Sequence, residues 1–339
     1  MSFYDVIDKK IVDYSEIVCC LFEHCNLSCV FCPQDHNSIV GANRDDILKK
    51  VPTIYNYINN NKRSKYFSIQ IMGGELFSDK WIDNQFLIIY EDFIKEIGKY
   101  VDKNKEVVYN FVTNLCFQNE NLVLDFLNRN NLKFSISYDP YGRFNPKDLN
   151  IFKNNLILFK DKIHMISLVQ TKQNMKAIIN GDDVFNYLYE KYPVHFDHLL
   201  PSTGTKIDRT LMPKESEVLE FYKCLVDRYP KSINILPFTN GENNNKMSCT
   251  RGNSLTIMPD GSIPKGCSGS VLLKEYNTKD LGDTKIIENW VNKYNCFECE
   301  YFQRCPMTCF IKSDFKHIEE DVDECVFKST FKYHDKKYR

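Results

Sequence analysis

Val18-Cys19-Cys20-Leu21-Phe22-Glu23-His24-Cys25-Asn26-Leu27-Ser28-Cys29-Val30-Phe31-Cys32 is the stretch from which the rest of the chain is read. Residues 18–23 form a short β-prone run, and the cysteines that follow fall as C-x3-C-x2-C. Three thiolates can hold three irons of a four-iron, four-sulfide cube, which leaves the fourth iron open. An open iron accepts a small chelating ligand. The amine and carboxylate of a methionine fit it and bring a sulfonium beside the cluster. One electron into that sulfonium releases a carbon radical, chemistry that the cofactor carries and the protein positions. The competing reading is zinc, which in a structural site takes four protein ligands, with His24 or His36 as the fourth.

Downstream, strand-like and helix-like stretches alternate to about residue 230. Runs rich in Val, Ile, Phe or Tyr at 18–23, 66–72, 106–112, 133–138, 164–170 and 194–200 predict strands. Stretches at 45–59, 85–100, 120–130, 146–159, 177–190 and 214–229 carry apolar residues at helical spacing. In the second of these, Phe86, Ile89, Tyr90, Phe93, Ile94 and Ile97 share one face. Six βα units imply a parallel sheet, and six fall short of a closed barrel of eight. The expected fold is therefore α/β, a partial (β/α)6 barrel over residues 1–230. The turn-rich NGENNNK segment lies in an expected linker over 231–248. A small cysteine-rich unit over 249–328 and a basic, aromatic, peripheral tail over 329–339 complete the expected layout.

The chain has 339 residues, 43% of them hydrophobic, and a net charge of −1. This favours an ordered core and argues against nucleic acid or an anionic membrane as the main partner. No signal peptide and no transmembrane run is read in it, so a cytoplasmic location is expected. Fourteen cysteines in such a chain point to metal or redox use rather than disulfides. Three lie in 25–32 and seven in 249–325, a split that disulfide staples would not need. Cys19, Cys20, Cys116 and Cys224 fit neither group and read as ordinary buried thiols.

The second strand candidate runs into Gly73-Gly74-Glu75. Glycines there let backbone approach a ligand closely, and a carboxylate can accept from an ammonium. The bland alternative is a tight βα turn. Its place at the C-terminal end of a strand, where ligands of such sheets bind, strengthens the functional reading.

On these residues the chain resembles the radical S-adenosylmethionine superfamily. Cys25, Cys29 and Cys32 match its cluster triad, and Phe31 the aromatic before the third cysteine that contacts the cofactor. Gly73, Gly74 and Glu75 match the motif for the methionyl amino group, with Leu76 where the family has proline. The resemblance implies cofactor-facing positions at further polar strand ends: Asn114, Ser137 with Asp139, and Gln170.

The C-terminal cysteines read Cys249-x17-Cys267, Cys296-x2-Cys299-x5-Cys305-x3-Cys309, then Cys325. This order resembles the SPASM domain of peptide-modifying radical enzymes, with Gly261 between the first two. The resemblance implies two auxiliary [4Fe-4S] clusters. Cys249, Cys267 and Cys309 would serve the first; Cys296, Cys299, Cys305 and Cys325 the second. No further cysteine follows Cys267 closely, which leaves the first with an open iron or a non-cysteine ligand. The alternative is a zinc-binding domain on Cys296, Cys299, Cys305 and Cys309.

The activity implied is reductive cleavage of S-adenosylmethionine. Hydrogen abstraction from a peptide or protein side chain follows, giving an oxidative modification or cross-link. The expected partners are that peptide substrate, a separate leader-binding protein, and a low-potential donor such as flavodoxin or ferredoxin. Only 24 residues precede Cys25, an architecture similar to the anaerobic sulfatase-maturating enzymes. Those enzymes carry a catalytic Asp after the second SPASM cysteine; here Ser268 stands there, which argues against formylglycine formation. A small-molecule radical dehydrogenase is the alternative, and a non-catalytic iron–sulfur or zinc protein comes last. No catalytic acid or base is assigned, although His195, Asp197 and His198 flank the sixth strand candidate.

Overall fold

The computed structural model describes residues 14–32, 34–199, 209–239, 254–263, 291–302, 304–305 and 321–339. Seven parallel strands make one sheet in the order β6-β5-β4-β3-β2-β1-β7. They are β1 (Tyr14–Cys20), β2 (Tyr66–Met72), β3 (Glu106–Thr113), β4 (Lys133–Ser137), β5 (Ile163–Gln170), β6 (Val194–His198) and β7 (Ser254–Ile257). Helices α1 (Arg44–Leu48) and α2 (Val51–Asn60) link β1 to β2. Then follow α3 (Asn84–Tyr100), α4 (Glu120–Arg129), α5 (Pro146–Leu158), α6 (Lys172–Ile179), α7 (Asp183–Lys191), α8 (Glu215–Arg228), α9 (Leu236–Thr239) and α10 (Val326–Tyr338).

Alternation along each strand gives the sheet two unlike faces. Ile17 and Cys19, Phe67, Ile69 and Ile71, Phe111, Phe134 and Ile136, Ile166 and Leu168, Val194 and Phe196 are none more than 1% exposed. They lie beneath the helices, where Phe111 meets Tyr90 of α3 and Phe126 of α4, and Phe196 meets Phe221 of α8. Each such side chain contributes about 1.5–3 kcal/mol on burial. The other face is polar. It carries Glu16, Ser68, Gln70, Asn110, Ser135, Ser137, Ser167, His195 and Asp197, with Asn110 and Ser135 hydrogen-bonded at 2.9 Å.

The sheet curls around that polar face. Five strand spacings separate β1 from β6, about 24 Å along a flat sheet. Yet the charge of Glu16 on β1 bears on His195 on β6. This is the curled half-barrel expected for a partial (β/α) array.

Helix starts follow from local chemistry. Asp83, Asn145, Thr171 and Asp182 each accept a backbone N–H three residues on, at 2.7–3.0 Å. Two expected helices are broken in two. The stretch 45–59 stops at Lys49 and restarts at Val51, with Pro52 in the new first turn. The stretch 177–190 breaks at Gly181, whose φ of +87° lies in the left-handed region.

Two features depart from the expected layout. A seventh strand, β7, comes from within 249–328 and pairs with β1 (Glu16 with Ser254, Cys19 with Ile257). The tail is not peripheral. It forms α10, which buries Val326, Phe327, Thr330, Phe331 and His334. Phe327 meets Tyr222 of α8, Phe331 meets Phe238 of α9 at 4.5 Å, and Lys337 pairs with Asp227 at 2.7 Å. A basic composition hides this because the apolar residues sit at helical spacing among the lysines.

Candidate metal and cofactor site

Cys25, Cys29 and Cys32 lie on the loop that leaves β1, at the C-terminal edge of the sheet. Cys29 is 8% exposed and the other two are half-buried. The loop is held from several sides. Cys25 N–H donates to His36 O at 3.1 Å, Cys32 N–H to Cys29 O at 3.1 Å, and Val30 N–H to Gly142 O at 3.0 Å. Asn26 reaches across to Cys116 O at 2.5 Å. Leu27 N–H points at Cys25 Sγ at 3.4 Å. Asn114, at the end of β3, donates through Nδ2 to Asn26 Oδ1 at 2.9 Å and faces Cys25 Sγ at 3.7 Å.

Burial pushes the Cys25 thiol up to about 12 and Cys32 to about 11, and it raises Cys29 as well. The charge of Cys29 also bears on both Cys25 and Cys32. Thiols raised in this way stay protonated at neutral pH unless a cation compensates their charge. A lone zinc completed by His24 fits poorly. The His24 ring nitrogens face Trp81 Nε1 at 2.7 Å and Lys80 Nζ at 3.2 Å. Among the described residues, no three His, Cys, Asp or Glu side chains are arranged to hold a metal ion, Cys25, Cys29 and Cys32 included.

Gly73 and Gly74 continue the pairing of β1 and β2 beyond the strands. Leu21 N–H donates to Met72 O, Gly74 N–H to Phe22 O, both at 2.8 Å, and Glu75 N–H to His24 O at 2.9 Å. A side chain on Gly74 would collide with the His24 carbonyl, and one on Gly73 would stand 2.6 Å from Phe22 O. The close approach that these glycines permit is therefore to the backbone entering the cysteine loop.

Glu75 is fully buried. Its carboxylate accepts from Phe77 N–H at 3.0 Å, Thr113 Oγ1 at 2.6 Å and Asn114 N–H at 2.6 Å. Burial pushes it up to about 7, against the pull of these hydrogen bonds. Glu75 thus ties the end of β2 to the end of β3 beside Cys25. Ser137 sits half-buried on the polar face. Asp139 is fully buried and bound by Arg143, Val169 N–H at 2.7 Å and Asn174 Nδ2 at 2.8 Å. Gln170 is set apart from this group. It shares the helix-side face of β5 with Ile166 and Leu168 and donates to Phe196 O at 3.3 Å.

Arg143 escaped the sequence reading. Its guanidinium lies 5.3 Å from the ring centroid of Phe31, and its charge bears on Cys29 and Cys32. The available signal was an arginine four residues after the acidic strand end.

In the C-terminal region Cys249, Cys267 and Cys309 lie outside the described residues. The other four, Cys296, Cys299, Cys305 and Cys325, are described. Successive turns join three of them: Cys299 N–H donates to Cys296 O at 3.1 Å, and Cys305 N–H to Tyr301 O at 2.8 Å. Cys325 starts α10. Burial pushes Cys296 up to about 12, and the charges of Cys325 and Cys299 bear on it. Of the four thiols without a motif, Cys19, Cys20 and Cys116 are buried and Cys224 is half-buried.

No protein-family model and no curated protein matches the sequence. Solved structures do match the fold. One is anSMEcpe with bound AdoMet, an anaerobic sulfatase-maturating enzyme. It is 18% identical over 95% of this chain and 96% of its own, with a TM-score of 0.63. The same enzyme with AdoMet and the Cp18Cys peptide gives 20%, 95%, 96% and 0.64. SuiB of Streptococcus suis is 15% identical over 94% of this chain and 78% of its own, with a TM-score of 0.51. The chain has the fold of radical S-adenosylmethionine enzymes over nearly its full length.

Proposed function

We propose that the chain is a radical S-adenosylmethionine oxidoreductase that modifies a peptide or protein side chain. One observation carries the reading: the loop bearing Cys25, Cys29 and Cys32 is fastened at the C-terminal edge of a curled parallel sheet. There, Asn114, Arg143 and the Gly73–Gly74 backbone meet it. A [4Fe-4S] cluster on these thiols would supply the electron that cleaves S-adenosylmethionine to methionine and a 5′-deoxyadenosyl radical, which takes a hydrogen atom from the substrate.

The chain's own residues do the rest. Asn114 and Leu27 N–H direct donors at Cys25. Arg143, fixed by Asp139 and resting on Phe31, sets a positive charge beside Cys29 and Cys32. Phe31, on the cysteine loop, and the Gly73–Gly74 backbone, which lies against it, would border the cofactor. The polar face is open to water, with the Asp197 side chain 53% exposed, so a bound substrate would have to cover it to protect a reactive species. Ser137, His195 and Asp197 lie on that face.

Cys296, Cys299, Cys305 and Cys325 would hold an auxiliary cluster. Cys249, Cys267 and Cys309 are assigned to another by their sequence order alone. The peptide substrate is supported by the likeness to anSMEcpe, which was solved with a peptide bound. A low-potential ferredoxin or flavodoxin completes the reading. No helix among the described residues is long and apolar enough to cross a membrane.

The test is anaerobic reconstitution with iron and sulfide, then dithionite and S-adenosylmethionine. Formation of 5′-deoxyadenosine is expected, and its absence from iron-loaded protein overturns the reading. Mass spectrometry of a co-expressed neighbouring peptide, looking for loss of two hydrogens, tests the substrate.

A further inference from the structure

Residues 113–117, which lead from β3 towards α4, hold a backbone that their sequence does not favour. Leu115 has a φ of +62° and no exposed surface. A left-handed backbone suits glycine and, less well, asparagine. Among the described residues, the other positive φ angles outside glycine belong to Asn131 and Asn295. A leucine keeps that conformation only where its surroundings impose it. Here they do so from two sides. Leu115 N–H donates to Thr113 Oγ1 at 3.0 Å, and Cys116 N–H to Asn114 Oδ1 at 2.8 Å. From the far side comes Asn155 of α5, 2% exposed, whose Nδ2 donates to Leu115 O at 3.0 Å and to Phe117 O at 2.7 Å. One amide thus spends both its hydrogens on the carbonyls that flank Cys116.

This turn carries a clasp on the cysteine loop. Asn114 Nδ2 donates to Asn26 Oδ1 at 2.9 Å and lies 3.7 Å from Cys25 Sγ. Asn26 Nδ2 donates in return to Cys116 O. Asn26 directly follows Cys25. The carbonyl that Asn26 grips therefore lies between the two that Asn155 holds, and turning at Leu115 lets Asn114 and Cys116 face one side chain.

We propose that Asn155 is a positioning residue of the N-terminal site: it holds the strained turn at Leu115, and through that turn it sets the Asn26–Asn114 clasp that places Cys25. This rests on the assignment of Cys25, Cys29 and Cys32 to a cluster. The competing role is packing alone, in which the amide only docks α5 on the turn and Cys25 is indifferent to it.

The experiment uses the full chain in two states. In the iron-free chain, alkylation of each thiol by iodoacetamide is followed by mass spectrometry. Asn155→Leu keeps the size and removes the donor. It is expected to speed alkylation of Cys25 about ten-fold, the lower end of what losing a ligand's outer partner costs. Cys224 on α8 is expected to keep its wild-type rate. Asn155→Ala, which adds no bulk, is expected to behave like Asn155→Leu. Leu188→Ala, a core variant in α7, loses stability away from the turn and is expected to leave Cys25 at the wild-type rate. In the anaerobically reconstituted chain, the N-terminal cluster is recognised by the change in its EPR spectrum on adding S-adenosylmethionine. Its iron is expected to pass to a chelator about ten-fold faster in Asn155→Leu. In Asn114→Ala, where the clasp is already open, adding Asn155→Leu is expected to change that rate little. Wild-type alkylation of Cys25 in folded Asn155→Leu and Asn155→Ala overturns the proposal. So does a Leu188→Ala variant that reproduces their effect, or a double variant in which the two losses add in full. A wild-type chain without a cofactor-sensitive signal overturns the cluster assignment instead, while the alkylation rates decide by themselves whether Asn155 places Cys25.

Discussion

Arg143 grips Asp139 with two nitrogens on one oxygen, Nε at 2.8 Å and Nη2 at 2.7 Å from Oδ2, and both side chains are buried or nearly so. The remaining oxygen of Asp139 is held by Val169 N–H and Asn174 Nδ2. The carboxylate therefore joins the end of β4 to the end of β5 and aims the guanidinium at the cysteine loop. Burial still pushes Asp139 up to about 6, so the arginine only partly offsets the cost of removing the charge from water.

Replacing Arg143 leaves that carboxylate buried beside two neutral donors. Breaking a buried pair on one side typically costs about 3–5 kcal/mol. Arg143→Met is expected to lower unfolding free energy by about that amount at neutral pH in urea titrations of the iron-free protein. The double variant with Asp139→Asn should recover part of the loss, because the unpaired charge goes with it. Equal losses in the single and double variants would show that the pair is not coupled in this way.

Gly74 offers a sharper local test. A methyl group there collides with the carbonyl of His24, the residue before Cys25. Overpacking against backbone costs about 1–3 kcal/mol or more, because backbone cannot rotate aside. Gly74→Ala is expected to displace Cys25 and to reduce iron loading of the N-terminal cluster. Gly98→Ala, with open space at its Cβ, should leave loading unchanged. Iron per chain and visible absorbance after reconstitution measure both.

Strand 66–72 was legible because apolar and polar residues alternate through it without interruption. β1 begins four residues before the expected strand, because Tyr14–Glu16 carry little apolar signal and Leu21 and Phe22 pair just past its end. β7 is four residues long, shorter than a periodic window can detect. In α10 the spacing Phe327, Thr330, Phe331, His334 is helical, but lysines around it masked the buried face. The loop that carries Cys25, Cys29 and Cys32 was easy to find because the three cysteines are close in sequence. Gln170 was legible as a polar strand end but not its direction, although its parity with Ile166 and Leu168 contained the answer. Arg143 stands four residues after Asp139, but its approach to Phe31 joins distant segments, which no local pattern reports.

The two groups of cysteines should fail separately. Cys29 belongs to the loop after β1 and Cys299 to the turn beside α10, and neither lies within the other's thiol set. Cys29→Ala is expected to abolish 5′-deoxyadenosine formation while the C-terminal signal persists. Cys299→Ala is expected to remove the C-terminal signal and to leave a cluster that still binds S-adenosylmethionine, seen as a perturbed EPR spectrum on adding the cofactor. Loss of all iron in either single variant would indicate one cooperative metal-dependent fold instead.

Glu75 predicts a pH dependence of opposite sign to an ordinary ion-paired carboxylate. Burial raises its pKa in the folded chain from 4.5 to about 7. The neutral acid is thus favoured in the fold. Its contribution is fully present below about pH 4.5 and is lost as pH rises through about 7. At about 1.4 kcal/mol per pH unit, the span amounts to about 3 kcal/mol. Glu75→Gln removes the ionisation, although an amide leaves one of the N–H groups of Phe77 and Asn114 without its acceptor. The stability of the iron-free wild type relative to Glu75→Gln is therefore expected to fall between pH 4.5 and pH 7 and to level off above. Asp139, raised in the same direction, titrates in both proteins and cancels in the difference. Urea titrations across that range read it directly. A flat difference would mean that the three hydrogen bonds from Phe77, Thr113 and Asn114 keep the carboxylate ionised as readily inside the protein as in water.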